Sequence, residues 1–360
     1  MTAPTALHPT LETRATKLFG VRYPVVQTGM GWVSGARLTS ATANAGGLGI
    51  LASATMNYAE LAAAITETKA RTVHPFGVNL RADAPDVVER IELMAREGVR
   101  VASFALAPKQ DLVKRCKDLG LVVVPSIGAR RHAEKVAAWG VDAVIVQGGE
   151  GGGHTGQVPT TVLLPQVVDA VDIPVIAAGG FFDGRGLVAA LAYGAEGIAM
   201  GTRFLLTSDS TVSQQVKEVY LGKGVTDTVV TREVDGVPHR VLRTDLVDHL
   251  EKSRPVGRLA RAARNAVAFQ KLSKTPWVSF AREGLAMKQT AELSWSQVVM
   301  SANTPMLLKA ALVDGRPDLG IMSSGQVVGI LEDLPSCAEL LTRIVTDASA
   351  VLDRLGASRG

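Results

Sequence analysis

A chain of 360 residues with 47% hydrophobic side chains and 36 glycines is long enough for one large α/β domain with additions, or for two modest domains, and can bury a substantial core. A net charge of +4 with only 4% aromatic residues excludes the strongly basic, aromatic-lined surface of a nucleic-acid binder. Cys116 and Cys337 form no CxxC pair, the stretch Met1 to Gly20 lacks the apolar core of a signal peptide, and no later run is long enough to span a bilayer. The expectation is a soluble, cytoplasmic protein with reduced thiols, no metal, and no nucleic-acid or membrane partner.

From Tyr23 onward, short β-branched or apolar runs alternate with amphipathic stretches of helical length, the pattern of βαβ units and a parallel sheet. Strands are predicted at Tyr23-Gln27, Gly47-Leu51, Phe76-Leu80, Val101-Leu106, Leu121-Pro125, Ala143-Gln147, Pro174-Gly179 and Gly197-Gly201. Between them fall helices such as Tyr58-Arg71, Pro85-Arg96, Gln110-Leu119, Arg131-Trp139 and Gly184-Tyr193. Eight such units fit a (β/α)8 TIM barrel better than an open doubly wound sheet, whose GxGxxG is replaced here by Gln27-Thr28-Gly29-Met30-Gly31. The barrel is assigned to residues 20–218 and 321–356, and residues 219–320 to a helical insertion, or lid, after the eighth strand. Within that insertion Lys252, Arg254, Arg258, Arg261 and Arg264 crowd one short helical region. The stripe Leu340, Leu341, Ile344, Val345, Ala348, Val351, Leu352 and Leu355 predicts a docked terminal helix.

The chemistry concentrates where strands end. After the sixth strand the chain reads QGGEGGGHTG, from Gln147 to Gly156. Glycines at such a point let a flat ligand approach the backbone, and His154 is the one side chain there that titrates near neutral pH. The seventh strand ends Ala178-Gly179-Gly180 and the eighth Gly201-Thr202. In a barrel of this kind these are the phosphate-binding positions, with the dipole of the helix after Gly180 assisting. Asn79 at the end of the third strand serves either a ligand or the cap of the next helix. Gln147 is placed to hydrogen-bond a ring edge, and Glu150 to bond the backbone. His132 and His239, lacking the glycine context, read as surface or core residues.

These strings resemble the signature of the nitronate monooxygenase family and of its relative, the FMN-dependent enoyl-thioester reductase of fatty acid synthesis. The resemblance runs over nearly all of residues 20 to 335. It implies FMN as cofactor, held by Gln27, Thr28, Gly29 and Met30 of the first strand and its loop, and by Asn79, Ser126, Gln147, Gly152 and Gly153. It assigns Ala178, Gly179, Gly180, Gly201 and Thr202 to the FMN phosphate, and makes His154 the catalytic acid-base group. Many nitronate-oxidising members carry a Lys where this chain has Ser126 in Val124-Pro125-Ser126-Ile127. Losing that fixed positive charge disfavours one-electron nitronate chemistry. The strings VVQTGMGWV, VPSIGA, VDGVPHRVLRT and SANTPMLL resemble an actinobacterial branch of the family associated with steroid C- and D-ring breakdown. In that branch a flavin enzyme dehydrogenates a hydroxy-methyl-oxo-indane carboxyl-CoA ester. The resemblance thus implies a small-molecule CoA thioester as substrate, with Arg258 and Arg261 as candidates for its phosphates. Nitronate oxidation and enoyl-thioester reduction stay open as alternatives, and so does a homodimeric assembly.

Overall fold

The eight apolar runs of the sequence are the staves of one closed barrel. The computed structural model describes residues 8–105, 107–252 and 303–357. In chain order the barrel strands are β1 (Val25–Gln27), β2 (Leu48–Ala52), β3 (Phe76–Leu80), β4 (Val101–Phe104), β5 (Val122–Ile127) and β6 (Val144–Gln147). A two-residue strand outside the barrel, β7 (Gly153–His154), precedes the last two staves, β8 (Val175–Ala178) and β9 (Ile198–Met200). All neighbours in the barrel are parallel, and β9 closes on β1 with Ala199 opposite Val26. The TIM barrel expected from the alternation is therefore the fold.

Alternation along each stave sorts its side chains between two cores. Val26, Ile50, Val124, Ile145, Ile176 and Ala199 fill the barrel, while Val25, Leu51, Val123, Val144, Ala177 and Ile198 face the surrounding helices. Full burial of such a side chain contributes about 1.5–3 kcal/mol. Ala15 and Phe19 of the helix Arg14–Phe19 join the interior cluster. That helix closes the amino end of the barrel: Arg14 reaches the Asp172 carbonyl at 2.8 Å, just before β8, and Arg100, just before β4, reaches the Leu18 carbonyl at 2.9 Å. The opposite, carboxyl end is left for a site.

The terminal helix Cys337–Ala357 docks as expected, burying Leu340, Leu341, Ile344 and Ala348. Its backbone meets the helix Gly184–Ala192 so closely that a Cβ on Gly184 would lie 2.3 Å from the Ala348 nitrogen. The stretch after the barrel, expected as a helical insertion, also contains strands. Following the helix Gln214–Leu221, β10 (Thr228–Thr231) and β11 (His239–Leu242) form an antiparallel hairpin, and β11 also pairs with β7. The β-branched run Thr228-Val229-Val230-Thr231 carries that hairpin. Its Gly236 and Pro238 belong to the turn. Helices Asp245–Glu251 and Asn303–Leu312 follow. Leu106, which ends the predicted fourth strand, and the basic positions 254 to 264, including Arg258 and Arg261, lie outside the described residues. Among the described residues no helix is long and apolar enough to cross a membrane.

Candidate active site

The carboxyl ends of the staves gather most of the predicted positions at one mouth. Gln27 is fully buried, and its amide nitrogen donates to Ser34 Oγ at 2.8 Å and to the Ile50 carbonyl at 3.1 Å. Ser34 Oγ in turn donates to the Thr28 carbonyl and accepts from Met30 N, each at 2.9 Å. The side chain of Gln27 therefore shapes the first loop from below, which leaves the backbone of Thr28, Gly29 and Met30 to line the mouth. Gly29 has no room for a side chain: a Cβ would fall 2.5 Å from that of Asn79. Asn79 is buried at the end of β3, donating to Ser103 Oγ at 3.3 Å, so of its two predicted uses the helix cap is not the one it makes. Ser126, half-buried on β5, stands opposite Ile145 of β6.

On the far side, Gly179 and Gly180 follow β8 with φ of 99° and 82°, values that favour glycine over any side chain. Gly201 follows β9 and packs against the first loop, where a Cβ would approach Thr28 Oγ1 to 3.3 Å and Met30 Sδ to 3.4 Å. Thr202 Oγ1 accepts from Gly325 N at 2.9 Å, tying this loop to the returning chain. The expected dipole contribution from the next helix needs correcting. The helix Gly184–Ala192 is capped by Asp183, whose carboxylate accepts from Gly186 N at 3.0 Å and pairs with Arg185. A carboxylate already occupies the positive end of that helix.

The glycine loop is held from three directions. Gln147, rather than pointing only at a ligand, donates its amide to the His154 carbonyl at 2.9 Å. Glu150 accepts from Thr160 N at 3.0 Å and from Thr160 Oγ1 at 2.7 Å, the backbone-bonding role expected for it. Arg240 of β11 places two donors on the Gly149 carbonyl, at 2.9 and 3.2 Å. Gly152 lies against Ser324 and Gly325.

Pairing of β7 with β11 sets His154 directly across from His239, and the two imidazole centroids are 4.7 Å apart. His154 Nε2 is 2.6 Å from Asp235 Oδ2. The same carboxylate oxygen accepts from Thr304 Oγ1 at 2.7 Å, while Oδ1 accepts from Val237 N at 3.1 Å. Burial alone would push the Asp235 carboxyl up, but hydrogen bonding to His154 and the nearness of both imidazoles hold it well below its usual range. His239 Nδ1 lies 3.8 Å from Asp235 Oδ2, beyond hydrogen-bond length, and its Nε2 pairs with Ser323 Oγ at 2.7 Å. Burial lowers the His239 pKa against the opposing pull of Asp235. Asp235 and His239 are nearly inaccessible, with side chains 4% and 2% exposed, whereas the His154 side chain is 53% exposed.

Nitrogen and carboxylate atoms of His154, Asp235 and His239 lie within 4.8 Å of one another, the grouping of a metal-ligand set. Without an ion, the 2.6 Å contact between His154 and Asp235 is a hydrogen bond, shorter than the separation of about 3.3 Å between two ligands of one tetrahedral ion. The group is a hydrogen-bonded acid-base cluster. His239 is the buried residue that its sequence context allowed, and it also packs against His154. Its signal was the pair Asp235 and His239 in VDGVPH, but a two-residue partner strand leaves no periodicity to find.

A nitronate monooxygenase family model matches residues 12–347. The chain belongs to this family of oxidoreductases. It is 67% identical over 341 residues to a protein of Mycobacterium tuberculosis named (3aS,4S,5R,7aS)-5-hydroxy-7a-methyl-1-oxo-octahydro-1H-indene-4-carboxyl-CoA dehydrogenase, covering 94% of this chain and 96% of that one. A protein of the same name from Rhodococcus jostii is 63% identical over 97% of this chain and 99% of its own length. Among solved structures, FabK from Thermotoga maritima superposes with a TM-score of 0.78 at 32% identity, covering 96% of this chain and 99% of that one.

Proposed function

We propose that this protein is an FMN-dependent dehydrogenase acting on a bicyclic hydroxy-methyl-oxo-indane carboxyl-CoA thioester in steroid C- and D-ring breakdown. The observation that carries the reading is the identity of 63% and 67%, over nearly the whole of both chains, to two dehydrogenases named for that substrate. The mouth suits the cofactor. Glycine backbone at Gly179, Gly180 and Gly201 would offer its N–H groups to a phosphate, and the Thr28 to Met30 loop, Asn79, Ser126 and the Gly152-Gly153 segment would border a flat ring. When bound, FMN would supply the two-electron acceptor for a hydride leaving the substrate's β-carbon.

The protein's part is to bind, orient and move a proton. A thioester carbonyl acidifies the adjacent C–H, and His154, the exposed member of the cluster, takes that proton. The α- and β-C–H bonds break and a C=C bond forms, which is an α,β-dehydrogenation. Residues 219–320 are taken as the lid over the mouth, with the hairpin as the part that fixes His154. Arg258 and Arg261 are taken as partners of the CoA phosphates on sequence grounds. Anaerobic mixing with an indane-carboxyl-CoA ester should bleach the flavin and yield a product lighter by two hydrogens. Bleaching by an alkyl nitronate instead, with none by the thioester, would move the assignment to nitronate oxidation, the reading that the family's name favours.

A further inference from the structure

The structure specifies which nitrogen of His154 faces Asp235, and this has a chemical consequence. A carboxylate can only accept hydrogen bonds. Asp235 is held ionised by its surroundings, and its Oδ2 lies 2.6 Å from His154 Nε2. The proton of a neutral His154 therefore belongs on Nε2, and Nδ1 keeps the lone pair.

We infer that Asp235 is a positioning residue that holds His154 in the Nε2–H tautomer, so that Nδ1 is the atom that takes the substrate proton. The inference rests on the acid-base role proposed above for His154. Asp235 is well placed for it: the side chain is 4% exposed, Val237 N and Thr304 Oγ1 fix its two oxygens, and its hairpin carries β11, which fixes the His154 backbone. Once Nδ1 has gained the proton, the imidazolium beside the carboxylate is stabilised at no cost in rearrangement. Among the described residues the titratable groups against His154 are Asp235 and His239, both from the hairpin segment, while the helix Asn303–Leu312 contributes the Thr304 hydroxyl to Asp235.

Asp235→Asn is a pointed test. Val237 N–H selects the amide oxygen for the Oδ1 position, which turns the amide NH2 toward His154 Nε2 and forces the proton onto Nδ1. The measurements are 15N NMR of His154 in FMN-loaded, histidine-labelled protein without substrate, and anaerobic flavin reduction by an indane-carboxyl-CoA ester across pH. Expected are an Nε2–H pattern in the parent protein and an Nδ1–H pattern in D235N. Flavin reduction in D235N should slow by about 10² or more, with KM changed by less than about threefold. Asp235→Glu keeps a carboxylate, and should restore the Nε2–H pattern and part of the rate relative to D235N. An Nδ1–H pattern in the parent protein, or a D235N enzyme that loses only thermal stability while its rate of flavin reduction is unchanged, overturns the inference. A His154→Ala enzyme reduced at the full rate would overturn the catalytic reading as well, so the two failures are distinguishable.

Discussion

Gly152 rests on Gly325 with no space between them: a Cβ on Gly152 would lie 2.5 Å from the Gly325 nitrogen. That nitrogen donates to Thr202 Oγ1 at 2.9 Å, and Gln326 N donates to the Glu150 carbonyl at 3.0 Å. The contact therefore joins the glycine loop, the returning chain and the loop after β9 in one unit. Gly152→Ala must push Gly325 away from Thr202, an overpacking cost of about 1–3 kcal/mol. The expected outcome is FMN affinity lowered about tenfold or more, read by flavin fluorescence on titration into apoprotein. Unchanged affinity would remove this loop from the cofactor's surroundings.

For His154→Ala the expectation is separation of binding from chemistry. The side chain is 53% exposed and its loop is held by other groups, Gln147 and Arg240 among them. FMN should stay bound with an unchanged visible spectrum, while substrate-driven reduction slows by about 10² or more, the scale of losing an acid-base group. Loss of the flavin together with the rate would make His154 a structural residue.

The barrel was legible because each stave is a short β-branched or apolar run bounded by turn chemistry, and the repeat occurs eight times. Phe76–Leu80 and Tyr58–Arg71 fall where periodicity put them, to the residue. The glycine loop and His154 were legible for a similar reason, as a distinctive string after a clear strand. What stayed hidden depends on contacts between segments far apart in the chain. His239 reads as an ordinary core histidine until β11 pairs with β7, two residues long, and Asp235 reads as a turn residue until Thr304 and His154 converge on it. Asp183 is likewise visible only as a polar residue before a helix, and its capping carboxylate offsets part of the dipole that the glycines ahead of it suggested.

The role of Arg258 and Arg261 rests on the basic cluster of the sequence and on the CoA ester in the proposed reaction. Replacing both with Gln should raise KM for a CoA ester about tenfold, and leave KM for the matching pantetheine or methyl thioester within about twofold, since a charged hydrogen bond is worth about 1.5–3 kcal/mol. Equal effects on both substrates would make the cluster a solvated face.

Both cysteines should be silent toward thiol reagents. Burial pushes Cys116 and Cys337 up to about 12. For Cys337 this happens at the start of a helix, a position that ordinarily lowers a thiol's pKa. Desolvation outweighs the hydrogen bond from Thr42, and Asp209, whose carboxylate accepts from Cys337 N at 2.7 Å, adds to it. At pH 8 the thiolate fraction is on the order of 10⁻⁴. Ellman's reagent should detect no thiol in the native protein and both after unfolding in guanidinium, and rapid labelling of either native thiol would contradict this packing.

The buried half of the cluster should make the fold sensitive to acid before most carboxylates titrate. His239 is 2% exposed, and burial lowers its pKa below the usual 6.5. Between 6.5 and the lowered folded value the unfolded chain binds the proton and the native one does not. Stability from this group is thus fully present above 6.5 and is lost as pH falls through that window, at up to about 1.4 kcal/mol per pH unit. Asp235 acts in the same direction at lower pH: its depressed folded pKa contributes stability above the unfolded value of 3.8, lost progressively below it. Urea unfolding of the holoprotein at several pH values between 7.5 and 5 should give a falling ΔG. In His239→Gln, whose amide can still meet Ser323 Oγ, the slope in that range should flatten by close to one proton's worth. The parent and H239Q curves running parallel would mean that His239 binds its proton equally in the folded and unfolded chain, with Asp235 cancelling the effect of burial.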